Sequence, residues 1–227
     1  MAWYVFALVD APPPARAGRG LGGPLSIRKI AGAFAVVERR ADVPPTEFGT
    51  LKKHQEIVGR LAARVPAILP VRFGTLLEQE HLDEVLRDRD DEIAEAFDLV
   101  RDRVQFTWRL RVKEGRGPRA IGGAPSSTIE GDAKQPASGA EYLRRAARAS
   151  NPSPPAAYRP LAATLGSLTS RQRYQAGTAV TAEALYHLVE KNLVKRYLAA
   201  AEAMETSTPP LVMSGPWPPF AFAPEIL

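Results

Sequence analysis

Few residues in this chain combine types and spacings that could do chemistry. Gly18-Arg19-Gly20-Leu21-Gly22-Gly23 places glycines at the spacing G-x-G-x-x-G. That pattern cradles a pyrophosphate when a strand turns through it directly into a helix. Here Pro12-Pro13-Pro14 separates the preceding strand from the glycines, and Pro24 leads on into another strand, so the stretch reads as a loop. His81 and Glu84 stand at i and i+3 of a helix, with Asp88, Asp90 and Asp91 close behind. Zinc takes three or four such ligands, and the calcium loop with its central glycine is missing, so these side chains read as a solvated helix face and an acidic helix start. The chain has no cysteine, which excludes disulfides, thiolate metal sites, iron–sulfur clusters and cysteine nucleophiles. It also lacks Gly-x-Ser-x-Gly, the Gly-Lys-Ser/Thr phosphate loop and a paired-carboxylate arrangement. The expectation is a protein that is not an enzyme and carries neither cofactor nor metal.

What remains is the chemistry of contact. In Leu69-Pro70-Val71-Arg72-Phe73-Gly74-Thr75 the proline removes one ladder donor, Arg72 can grip carboxylates or carbonyls with two N–H groups, and Gly74 permits a turn. In Gly215-Pro216-Trp217-Pro218-Pro219-Phe220 three prolines enforce an extended path that presents Trp217, Phe220 and then Phe222. Each segment reads either as a structural corner or as a partner-binding surface. From Arg103 to Lys113 the chain alternates: Val104, Phe106, Trp108, Leu110 and Val112 point one way, the charged and polar residues the other. Arg109 and Arg111 lie on that polar face, which suits the solvated side of an antiparallel sheet or a dock for an acidic protein. Candidate partner-binding residues are Arg72, Phe73, Arg109, Arg111, Trp217, Phe220 and Phe222.

The elements that must position them follow from periodicity. Ala2 to Val9 reads as a buried strand, Ile27–Ile30 and Ala33–Val37 as a hairpin about Gly32. Phe48, Leu51, Val58, Leu61 and Ala62 fall on one helical face. Ala67 to Phe73 is an edge strand, and Leu76 to about Arg101 a helix broken near Asp88–Asp91. After the strand 103–113 come a glycine-rich flexible loop at about 114–138, a basic helix 139–150, a helical piece 158–168, strands 174–179 and 182–189, a helix 191–205 burying Leu193, Val194, Tyr197, Leu198 and Ala201, and a strand 211–213. The class is α+β, divided into an N-terminal domain 1–102 and a C-terminal domain 103–227 whose order βαββαβ is ferredoxin-like. The same order is used by RNA-recognition modules, so a nucleic-acid-binding module of that type is the alternative reading. Its glycine-aromatic motif is absent, and Phe106 and Trp108 share the apolar face.

Net charge is +5, which permits an acidic partner without demanding one. No run approaches the roughly 18 to 20 apolar residues that cross a bilayer, and Ala2–Val9 lacks the basic flank of a secretion signal, so a cytoplasmic location is expected.

Residues 69–75 and 215–220, in this order and separation, resemble the signature of the GvpL/GvpF gas vesicle proteins, as do Trp3–Val9 and Ser138–Leu143. The resemblance spans essentially the whole chain. It implies a two-domain α+β fold with a ferredoxin-like second domain, and no enzyme activity. It further implies association with the gas vesicle, and partners among the shell protein GvpA and other accessory proteins rather than nucleic acid, membrane or small molecules.

Overall fold

The strand β1 (Ala2–Val9) is apolar throughout because it is covered on both faces, and all eight residues are buried. Trp3, Val5 and Leu8 face the helices α2 (Gln79–Asp88) and α3 (Asp90–Val100), packing with Leu82, Leu86, Ile93 and Phe97. Tyr4, Phe6 and Val9 face α1 (Phe48–Ala62), packing with Ile57, Val58 and Leu61. A register shift between Val5 and Ala7 breaks strict alternation and turns Ala7 to the α1 side. A computed structural model describes residues 2–13, 18–111, 153–178, 181–205 and 211–225. The flexible loop and basic helix expected at 114–138 and 139–150, and Val112, lie outside them.

Around β1 runs the first antiparallel sheet, in the order β2 (Ser26–Ile30), β3 (Ala33–Arg40), β1, β4 (Ile68–Pro70). β4 covers only Ala7–Val9; β5 (Leu76–Glu78) covers Ala2–Tyr4 on the same side. The chain between them, residues 71–75, turns a corner with Gly74 at φ +95° and Val71 N–H and Thr75 C=O bonded back to β1. Leu76–Glu78 was expected to begin the helix. It is a strand instead, because Val5 N–H and the backbone of Ala2–Tyr4 need partners that β4 is too short to supply.

The second sheet is antiparallel throughout, in the order β7 (Arg171–Gln175), β8 (Ala184–Glu190), β6 (Arg103–Leu110), β9 (Leu211–Trp217). One face packs on α4 (Arg159–Leu165) and α5 (Val194–Glu205) through Phe106, Trp108, Leu161, Leu165, Leu185 and Tyr197. Tyr197 and Ala201 of α5 are buried as expected, with Leu193, Val194 and Leu198 half-buried beside them. β7 begins earlier than its sequence suggested, taking in Arg171 and Arg173. β9 runs on past Met213 through the cis Gly215–Pro216 bond to Trp217.

Two expectations fail on burial. Phe48 is 83% exposed and Leu51 also stands out, while His54 is buried with Ile57, Val58 and Leu61. At 3.6 residues per turn Phe48 lies roughly 130° from the centre of that buried stripe. His54 can go inside because its Nδ1 meets Tyr4 Oη at 2.9 Å and Phe6 stacks on its ring. The polar side of β6 is likewise not wholly solvated. Gln105 and Thr107 are each 4% exposed: the 3-10 turn Phe220–Phe222 reaches Gln105, where Ala221 N–H donates to its Oε1 at 2.7 Å, and Gln105 Nε2 donates in turn to Thr107 Oγ1. Leu188 and Phe222 therefore join the same apolar cluster as Leu69, Leu82 and Val100, so side chains from both halves share a core.

Within the second half a polar chain crosses the apolar interior. Trp108 Nε1–H donates to Tyr197 Oη at 2.8 Å, and Tyr197 Oη lies 2.8 Å from His187 Nδ1, which shares a hydrogen bond with it. Burial pushes the His187 imidazole down to about 4. Unfolded, the same group titrates near 6.5, so between those values only the unfolded chain takes the proton. Stability is then full above pH 6.5 and falls by about 1.4 kcal/mol per pH unit on acidification toward pH 4. Burial of His54 lowers its affinity for protons too and acts in the same direction. Urea unfolding of the chain and of His187→Gln at pH 7 and pH 5 checks this: the variant loses part of the decline seen in the parent.

Candidate functional site

Among the described residues β4 and β7 are the outermost strands of their sheets, and each leaves one row of backbone groups unpaired by a neighbouring strand. Both line a single cleft of about 380 Å³ between the two halves. Leu69 to Arg72 form one wall, Arg173 to Ala176 with Tyr186 the other, and Phe220 to Glu225 run along the opening. The 3-10 turn at Phe220 is positioned by Phe222, which is buried in the shared core, and by Arg173, whose Nη1 donates to Ala221 C=O at 2.6 Å. Arg72 forms an ion pair with Glu225, and Phe220, the end of the second proline-containing signature, lines the same cleft. Tyr186 Oη donates to Gln175 Oε1 at 2.8 Å and closes the floor. The tyrosine beside it, Tyr174, donates to Glu183 at 2.9 Å, and burial followed by that carboxylate raises its pKa above the ordinary phenol value.

The candidate residues thus divide. Arg72 and Phe220 reach the cleft, and Phe220 is 36% exposed. Phe73 is taken into the interior, edge-on to Tyr4 and His54 at ring separations of 6.2 and 5.6 Å. Phe222 is core and unavailable to a partner. Trp217 is 37% exposed on the outer strand β9, opposite Gln105, with its Nε1–H on Ser214 Oγ. Arg109 and Arg111 are exposed at the far end of β6, where Arg109 lies across from Val212. Sequence reasoning missed Arg173, Tyr186 and Glu225. The alternation Arg171, Arg173, Gln175 against Gln172, Tyr174 was the available signal for the first.

The glycine-rich stretch does bind a carboxylate through backbone N–H groups, but the carboxylate is the chain's own. Glu38 Oε atoms accept from Leu21, Gly22 and Gly23 N–H at 2.6, 2.9 and 2.7 Å, and Glu38 is 2% exposed. Among the described residues no group of three or more His, Asp and Glu side chains could hold a metal ion. None of their helices is long and apolar enough to cross a membrane. His81 and Glu84 are exposed, 3.9 Å apart.

Two antiparallel sheets with helices packed on them, and a cleft of arginines, aromatics and open strand edges, define an α+β protein whose candidate site suits contact with another chain. Residues 2–224 match the model of the family described as gas vesicle synthesis protein GvpL/GvpF. The chain belongs to that family, and its role is a gas vesicle one. Its fold is similar to that of gas vesicle protein GvpF from Microcystis aeruginosa, at 13% identity and TM-score 0.70, over 98% of this chain and 99% of that one. It is similar also to gas vesicle protein GvpF from Anabaena sp. PCC7120, at 11% identity and TM-score 0.69, over 98% and 96%. No curated protein sequence matches the chain.

Proposed function

We propose that this chain is a non-catalytic accessory or minor structural protein that binds the gas vesicle shell subunit GvpA, together with fellow accessory proteins, and supports assembly of the vesicle. The observation that carries the reading is the meeting of the segments 69–75 and 215–225 at one cleft flanked by two open strand edges. Strand edges recruit strands, and a small apolar subunit must be held from self-association until it is placed. The strand order β7-β8-β6-β9, with α4 between β6 and β7 and α5 between β8 and β9, supports reading the C-terminal half as ferredoxin-like. That order also suits an RNA-recognition module, but stacking bases needs exposed sheet aromatics. Phe106 and Trp108 are 0% and 1% exposed beneath α4 and α5, which argues against that alternative.

Truncation is a poor probe, since removing residues 215–227 takes Phe222 out of the core along with the end of β9. Deletion of the gene in a vesicle-forming host, complemented by the full chain or by Phe220→Asp, tests the role in cells. Buoyant vesicles are expected to disappear on deletion, return with the parent and return only partly with the variant. Unchanged vesicle yield after deletion would sink the reading.

A further inference from the structure

The cleft has a chemistry that goes beyond a general docking role. Among the described residues β7 pairs only with β8, which leaves its outer row of N–H and C=O groups able to accept an added strand. β4, the opposite wall, contains Pro70 and so has one donor fewer, which makes β7 the better template. Charge is one-sided. Arg72 and Arg173 line the cleft and Arg171 follows on the same side of β7, against one carboxylate among the described lining residues, that of Glu225. Among the described residues Arg171 has no ion pair, and Arg173 uses one of its nitrogens on Ala221 C=O. The Arg72–Glu225 pair is itself informative, because it seats a carboxylate from an extended segment at the cleft mouth. Both side chains are largely exposed, at 74% and 70%, so the pair is weakly held and open to exchange. Beneath it the cleft, lined mostly by polar atoms, holds about 380 Å³ between Arg72, Arg173 and Tyr186.

We propose that this cleft takes an extended acidic segment of a protein partner, which adds as a strand to the outer edge of β7 and sets a carboxylate on Arg173 and Arg72 in place of Glu225. The proposal is independent of which protein supplies the segment.

Fluorescence anisotropy with the full chain tests it, using the capped peptide Glu-Val-Glu-Phe-Glu-Val, its lysine counterpart, and the acidic peptide methylated at alternate backbone nitrogens. The acidic peptide is expected to bind at least about tenfold more tightly than the basic one, with affinity falling as salt rises. Methylation, which blocks ladder hydrogen bonds, is expected to weaken it about tenfold or more. Arg173→Glu weakens binding to a similar degree, and Arg72→Glu, a change at an exposed side chain, serves as an independent variant should the first fail to fold. Glu225→Ala, which frees Arg72, tightens binding several-fold. Equal binding of the acidic and basic peptides, full binding of the methylated one, indifference to both charge reversals, or no acidic-peptide binding even by Glu225→Ala overturns the proposal.

Discussion

Gly215→Ala is expected to lose about 3 kcal/mol or more of folding stability, among the largest effects of any single methyl group in this chain. Gly215 has φ +132°, a region closed to L side chains. A Cβ there would stand 2.8 Å from the Gln105 carbonyl oxygen and 3.0 Å from the Phe106 ring. The first neighbour is backbone of the central strand β6, and the second is fully buried, so neither can move aside without breaking the sheet. The consequence passes down the chain: β9 leads directly to the Phe220–Phe222 turn, so a displaced β9 also displaces the cleft mouth and Glu225. Equilibrium urea unfolding checks this. A change below about 0.5 kcal/mol, the range of an ordinary surface substitution, contradicts the close approach of β9 to β6.

The second large effect is at Glu38. Its replacement by alanine leaves the N–H groups of Leu21, Gly22 and Gly23 without their acceptor and removes a charge-assisted set of bonds. Water can reach part of this loop, so about 2–3 kcal/mol is expected rather than the sum of three fully buried orphans. Glu38→Gln keeps the acceptor oxygen and is expected to lose about half as much. Limited trypsin digestion gives a local readout, because Arg19 lies in the same loop: cleavage there should quicken in Glu38→Ala before the rest of the chain yields. Gly20 belongs to the same arrangement, since a Cβ on it would come within 2.1 Å of a Glu38 carboxylate oxygen. Unchanged stability and unchanged cleavage together would remove Glu38 as the organiser of the loop.

Local patterns carried much of the architecture in the sequence, and long-range covering did not. The strand β1, the hairpin about Gly32 and the apolar face of β6 were legible because each side chain faces a neighbour a few residues or one strand away. The burial of Gln105 was not, because its backbone partner arrives with Ala221, 116 positions away. His54 was not among the residues placed on the apolar face of its helix, yet Tyr4, 50 positions away, supplies the partner that lets it enter the core in place of Phe48. The glycines were recognised as a loop, but nothing local marks Glu38 as its anion. The signature segments were legible as units. The pairing of Arg72 with Glu225, which lies just past the second signature and 153 positions from Arg72, needed the fold.

That pairing also explains why corner and contact need not be rival readings of the same residues. Phe73, Gly74 and Phe222 hold the two walls in place, and Arg72 and Phe220 are left at the opening. Rigid elements that position a few exposed groups are the usual means of building a recognition site.

The most direct test of a shell-binding role is physical association of the full chain with the gas vesicle shell subunit. Co-expression of the tagged chain with the subunit, followed by affinity capture and quantification of the retained subunit, should give saturable co-purification. That capture should fall markedly for Phe220→Asp and Arg72→Glu in chains that still unfold at the parental urea midpoint. Capture no greater than that by an unrelated protein of equal charge, for subunit and fellow accessory proteins alike, would contradict it.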